Sequence, residues 1–193
     1  MGKTTLLRQV EAYLIARKER TLFLNFEDFW SSGKSFFESK ESFLRYIARE
    51  YGVELTQGKT FLFFDEVQYV PDAVSFLKSL YDDQNLDIVI FATGSRFLGQ
   101  KRLGSGLVGR GRTMRVFPFA FEEFIEAKGR GIDLFFQKEG IVESSFLRDT
   151  LLEYRQFGGY PAVVFANGRE AKIETLSRIA SRIFETDLLF VLK

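Results

Sequence analysis

The sequence predicts an α/β fold, a parallel sheet with flanking helices over residues 1–119, followed by a helical subdomain over 120–193. Three observations carry this. "KTFLFFDE" (59–66) and "DIVIFATGS" (87–95) are short, unbroken apolar runs, as expected of strands buried on both faces of a parallel sheet. Helical patterns alternate with these runs, which is the order that builds such a sheet. After residue 119 the strand pattern stops and only helical patterns remain.

In chain order, residues 3–18 place Leu6, Leu7, Val10, Tyr13 and Leu14 at helical spacing. A Lys/Arg-rich end follows, which suits a helix C-terminus. "TLFLNF" (21–26) reads as a strand, and "SFLRYIAREYG" (42–52) as a helix stopped by Gly52. "VPDAVSFLKSLYDD" (70–83) reads as a helix with Pro71 near its first turn. "TMRVFPF" (113–119) is a further strand or an extended segment. "FEEFIEAKG", "SSFLRDTLLEYRQFGG" and "EAKIETLSRIASRIFETDLL" read as the helices of the second part.

Composition narrows the chemistry. The chain has 193 residues, 46% of them hydrophobic, including 23 Phe, and carries 27 basic against 26 acidic side chains. This suits one domain with a Phe-rich core and a small appendage. Cys and His are both absent. Disulfides, thiolate or imidazole metal sites and Ser-His triads are therefore excluded. Catalysis would have to use carboxylates, Lys, Arg, hydroxyls and a hard cation such as Mg2+. No apolar stretch approaches the roughly 18–20 residues that span a bilayer, and there is no long apolar signal sequence, so the cytoplasm is the expected compartment.

Four constellations bear on function. "GKTT" (Gly2, Lys3, Thr4, Thr5) matches the second half of the phosphate-loop pattern G-x-x-x-x-G-K-[ST]. In that loop backbone N–H groups wrap phosphates, the Lys reaches the β/γ oxygens and the hydroxyl ligates Mg2+. Helix N-termini favour phosphate; taken alone, the same residues also make an ordinary polar helix start. In "FLFFDEVQ" (61–68), Asp65 and Glu66 fall at the C-terminal tip of a buried strand, where open α/β sheets bind ligands. Such an Asp can hold Mg2+ and the adjacent Glu can orient or deprotonate an attacking water. In "IVIFATGSR" (88–96), Thr93 or Ser95 could present a hydroxyl to a γ-phosphate or to water; a Gly-containing turn would give the same pattern. Finally, residues 88–121 contain no Asp or Glu but hold Arg96, Lys101, Arg102, Arg110, Arg112 and Arg115. This basic stretch could complete a charge clamp on transferring phosphate, meet nucleic-acid phosphates, or be a solvated loop.

Together these residues resemble a prokaryotic family of AAA-type P-loop ATPases whose core is fused to a C-terminal region of unknown function. "GKTTLL" resembles its Walker A ending, "TLFLNFED" its second strand and "FLFFDEVQYVPD" its Walker B segment. "FATGSR", "LVGRGRTMRVFPFAFEEF" and "LLEYRQFGGYPAVV" are similar to its sensor, its Gly-Arg passage and its "YxxxGGYP" passage, in the same order. The resemblance implies a P-loop three-layer sandwich with a five-stranded sheet, and ATP and Mg2+ as ligands. It implies Lys3 on phosphate, Thr4 and Asp65 on Mg2+, Glu66 on the attacking water, Thr93 or Ser95 as sensor, and Arg110 as the arginine reading nucleotide state. Partner reading is open between ATP turnover, a DNA-associated module using 96–115, and a nucleotide-dependent protein–protein switch.

Against that family pattern, the first, central strand and the front half of the loop are not in this sequence, nor are the relatives' winged-helix and nuclease-like modules. The expectation is a partial copy. Three missing phosphate-binding N–H groups remove about 4–9 kcal/mol, whereas about 8 kcal/mol holds a micromolar complex. Millimolar ATP affinity and a tendency to aggregate through an unfilled sheet slot are thus expected.

Overall fold

The computed structural model describes residues 2–31, 39–94, 109–129 and 144–184. Helix α1 (Lys3–Ala16) stops where Lys18 turns left-handed (φ 61°), two residues short of the expected end. Strand β1 (Arg20–Asn25) follows, then the short helix α2 (Phe26–Ser31), α3 (Lys40–Tyr51) and strand β2 (Thr60–Asp65). Gly52 ends α3 at φ 64°, returning its N–H to the Ala48 carbonyl, as the sequence predicts. A 3-10 turn (Val67–Tyr69) leads to α4 (Ala73–Tyr81) and strand β3 (Ile88–Ala92). Pro71 lies before α4, not within it. Asp72, left-handed at φ 45°, begins the helix by accepting from the Ser75 N–H.

The three strands form one parallel sheet in the order β1-β2-β3. The sheet is α/β as expected, and strand 2 at its centre is buried along almost its whole length. The period-2 alternation of side chains divides two packing layers. On one face Leu22, Leu24, Leu62 and Phe64 pack with Phe26, with Phe43 and Ile47 of α3, and with Phe76, Leu77 and Leu80 of α4. On the other face, toward α1, Phe23, Phe63 and Phe91 occupy matching positions on the three strands. Their rings stack with centroids 6.3 and 5.0 Å apart and planes within 10° and 13°. The Arg8 guanidinium of α1 sits over the outer ring, Phe23, at 3.3 Å. Helices therefore cover both faces, which is the three-layer arrangement.

The five-stranded sheet implied by the resemblance is represented by three strands among the described residues. Residues 111–118 belong to no strand or helix and are exposed, with Met114 85% and Phe117 71% accessible.

The chain divides into two compact units, the first spanning Lys3–Met114 and the second Arg115–Lys193 together with Met1–Gly2. The second unit is helical: α5 (Phe121–Ala127), α6 (Ser144–Phe157), α7 (Pro161–Val164) and α8 (Gly168–Arg182). Its core holds Phe157, Val163 and Ile179. The segment entering it is fixed by the Phe119 N–H donating to the Gly159 carbonyl (2.8 Å) and by the Tyr154 hydroxyl donating to the Phe119 carbonyl (3.0 Å).

Candidate nucleotide site

Parallel pairing brings the strand tips together. Asn25 pairs with Asp65 in register, and Thr93 follows Ala92, whose partner is Phe64. Backbone bonds extend the ladder past β3. The Thr93 N–H donates to the Phe64 carbonyl and the Val67 N–H donates to the Thr93 carbonyl, both at 2.8 Å. These bonds fix the Thr93 side chain beside Asp65 without help from the hydroxyl.

Asp65 is the centre of the site. Its carboxylate is 2% exposed, an environment in which a polar group needs partners. It has two hydroxyl donors. Thr4 Oγ1 in the first turn of α1 donates to Oδ2 at 2.7 Å, and Thr93 Oγ1 donates to Oδ1. Thr4, Asp65 and Thr93 thus meet in one cluster, although 61 residues separate the first two. Lys3 is half-buried at the first position of α1, and Gly2 before it takes φ 87°, a left-handed conformation that suits glycine. Thr5 is exposed on the same turn.

Glu66 follows Asp65 with φ 55° and ψ 46°. A non-glycine residue in this region is uncommon and costs about 1 kcal/mol. Gln68 Nε2 donates to Glu66 Oε2, while the Glu66 N–H lies 3.4 Å from Thr93 Oγ1. Gly94 leaves room for this clamp, since a Cβ there would come within 3.0 Å of Gln68 Oε1. Gln68 falls within the segment "FLFFDEVQYVPD" that resembles Walker B, but the sequence assigns it no function. Its spacing, two residues after Glu66, was the available signal. A second neighbour, Tyr69, donates its hydroxyl to Glu27 Oε1 at 3.3 Å.

Arg110 is not brought to this cluster. Its Nε and Nη2 make a two-point contact with Asp82, at 2.8 and 3.1 Å. Asp82 caps the C-terminal end of α4, which runs back toward the end of the sheet where β3 begins. The hydrogen bond from Arg110 holds the Asp82 carboxyl below its ordinary range, and Asp82 raises the guanidinium in turn. Ser95, Arg96, Lys101 and Arg102 lie outside the described residues, and Arg112 and Arg115 are exposed.

The donor set is oxygen-only: one buried carboxylate and one hydroxyl, converging at 2.7 Å. Hard cations such as Mg2+ take such ligands, usually from one or two protein groups, with phosphate oxygens and water completing the shell. The residues present therefore fit Mg2+ carried with a nucleotide.

A parallel α/β sheet with a Gly-Lys-Thr helix start facing a strand-tip Asp defines the P-loop class of nucleotide-binding proteins. Within that class, the family model described as "AAA domain" matches residues 1–125. The chain belongs to that AAA domain family. An uncharacterized protein of Haemophilus influenzae is 31% identical over 192 residues, 97% of this chain and 42% of the relative. Two uncharacterized proteins of Methanocaldococcus jannaschii are 29% and 30% identical, over 66% and 65% of this chain and 28% and 25% of their own lengths. The chain thus spans less than half the length of the curated relatives it matches. Family membership makes nucleotide binding of the ATPase type its functional class. Among the described residues no helix is long and apolar enough to cross a membrane.

Proposed function

We propose that the chain binds ATP with Mg2+ at the tips of β2 and β3 and belongs to a protein that hydrolyses it. The observation that carries this is the 2.7 Å hydrogen bond from Thr4 to the buried Asp65, which joins the phosphate-loop ending to the carboxylate strand. Thr4 Oγ1 and Asp65 would hold the cation, which when bound supplies positive charge to the β/γ-phosphate oxygens. Lys3, at the same helix start, neutralises those oxygens as a point charge. Glu66 accepts the proton of the attacking water. Because Gln68 occupies Oε2, Oε1 is the oxygen available to that water. The Thr93 hydroxyl, beside both acidic residues, orients water or γ-phosphate. Arg110 could read nucleotide only after leaving Asp82.

The test is calorimetric titration with ATP, with and without Mg2+, carried into the millimolar range. Mg2+-dependent binding that Lys3→Ala and Asp65→Ala each weaken by roughly tenfold or more supports the reading, as loss of a charge-assisted contact predicts. Glu66→Gln should leave binding intact and end hydrolysis. Binding that is indifferent to Mg2+ and to both substitutions removes the proposal.

A further inference from the structure

The second unit carries an open surface pocket of about 510 Å3, lined by Lys128 at the end of α5, by α6 and by the α7–α8 turn. Its volume is in the range of small-molecule sites, roughly 300–1,000 Å3. Lys172 is the unusual group there. It lies in the second turn of α8 yet is only 6% exposed. Its ammonium donates to the Val163 and Val164 carbonyls at 3.2 and 3.3 Å, satisfying the end of α7. It also pairs with Glu153 at 2.8 Å. Lys128 reaches the same Glu153 oxygen, likewise at 2.8 Å. One carboxylate is therefore shared by two ammonium groups. A third cation, Arg169, lines the cavity too. With the Gln156 amide oxygen turned toward it, Gln156 accepts from both Arg169 terminal nitrogens at 2.9 and 3.1 Å. Gln156 is neutral, so this contact orients the guanidinium without cancelling its charge. Among the described residues no carboxylate pairs with Arg169. Three cations thus face one anion across a cavity whose remaining wall includes Phe157 and Phe165.

We propose that this cavity binds a small organic oxyanion, an apolar or aromatic body carrying one carboxylate or phosphate. The charge excess selects the oxyanion, and Arg169, held in place but with guanidinium donors to spare, is its principal contact. The Phe157 and Phe165 wall takes the body. Lys128 and Lys172 contribute field more than direct bonds, since Glu153 and the α7 carbonyls already hold them. The inference is independent of the nucleotide reading because all of these residues lie in the second unit.

The experiment titrates the full chain with phenyl phosphate, benzoate, inorganic phosphate and benzyl alcohol. The expected result is that an aromatic anion binds at least tenfold more tightly than neutral benzyl alcohol, by loss of a charge-assisted contact. Phenyl phosphate against benzoate identifies which oxyanion is preferred, and weaker binding of inorganic phosphate reports the apolar wall. Arg169→Ala should weaken the aromatic anion roughly tenfold, and Arg169→Lys should restore part of it. Lys3→Ala should leave it unchanged. Equal binding of anion and alcohol, indifference to Arg169→Ala, or loss of binding in Lys3→Ala would each overturn the proposal.

Discussion

Thr93→Val removes the hydroxyl that donates to the buried Asp65. Valine keeps the shape and β-branching of threonine, so neither a cavity nor a change in strand preference is introduced. The Thr93 backbone bonds to Phe64 and Val67 are untouched by the substitution. What is lost is the hydroxyl donor to Oδ1 of a carboxylate that is 2% exposed, leaving Thr4 as its remaining hydroxyl donor, together with the acceptor of the longer 3.4 Å contact from the Glu66 N–H. A hydrogen bond to a charged group contributes about 1.5–3 kcal/mol. For a chain of this size each kcal/mol shifts the midpoint by about 2–4 °C, so a fall of about 3–12 °C is expected. Thermal unfolding followed by circular dichroism measures it, with Thr93→Ser as control, because serine keeps the hydroxyl. A Val variant within about 0.5 kcal/mol of the parent, the ordinary scatter of inconsequential substitutions, would refute the reasoning. So would a Ser variant as unstable as the Val variant, since the methyl rather than the hydroxyl would then be responsible.

Glu66→Gly should leave stability unchanged or raise it by up to about 1 kcal/mol, since glycine takes φ 55° without strain, while abolishing any ATP hydrolysis. Denaturant titration beside a phosphate-release assay reads both effects. Gly159→Ala should destabilise the second unit by about 3 kcal/mol or more, because its Cβ would fall 2.1 Å from the Phe119 carbonyl oxygen; loss of protection of α6 and α7 in hydrogen exchange checks this. Burial raises the Glu153 carboxyl, but hydrogen bonds from Lys128 and Lys172 outweigh it, and the net shift is downward from 4.5. A carboxyl lowered in the folded state contributes stability above its unfolded pKa and loses it as pH falls through the folded value. Glu153→Gln should therefore flatten the decline in stability seen below about pH 4.5, and a slope identical to the parent's would contradict the network.

Strands β2 and β3 were legible because each holds an unbroken apolar run, and the run itself is what a two-sided parallel sheet requires. The tip carboxylates were legible for the same reason, as Asp65 is where the run breaks. What was not legible is non-local or conformational. "TLFLNF" (21–26) reads as a strand, yet the strand ends at Asn25 and Phe26 begins α2, whose first turn holds Glu27 and Asp28, where carboxylates suit a helix N-terminus. Pro71 is displaced from α4 because Asp72, in a left-handed turn, supplies the cap. The basic character of 96–115 suggested an arginine at the phosphates. Nothing local to Arg110 announces Asp82, 28 residues earlier, as its partner. Lys172 has the sequence signature of a solvated helical lysine, and only the tertiary packing buries it.

The stacked rings of Phe23, Phe63 and Phe91 each stand two residues before Asn25, Asp65 and Thr93 on their own strands. One pleat therefore separates a row of aromatic surfaces from a row of polar tips. Sliding β3 by one position would break the stack and turn Thr93 to the opposite face of the sheet. The separation between acid and hydroxyl is consequently a property of strand pairing, and its thermal jitter is that of a sheet rather than of a loop. A drift in alignment that polar contacts alone would tolerate is opposed by aromatic contacts of about 0.5–1.5 kcal/mol per pair. Substitutions in the three rings should thus be felt as mis-timing at the site, in a molecule that still folds.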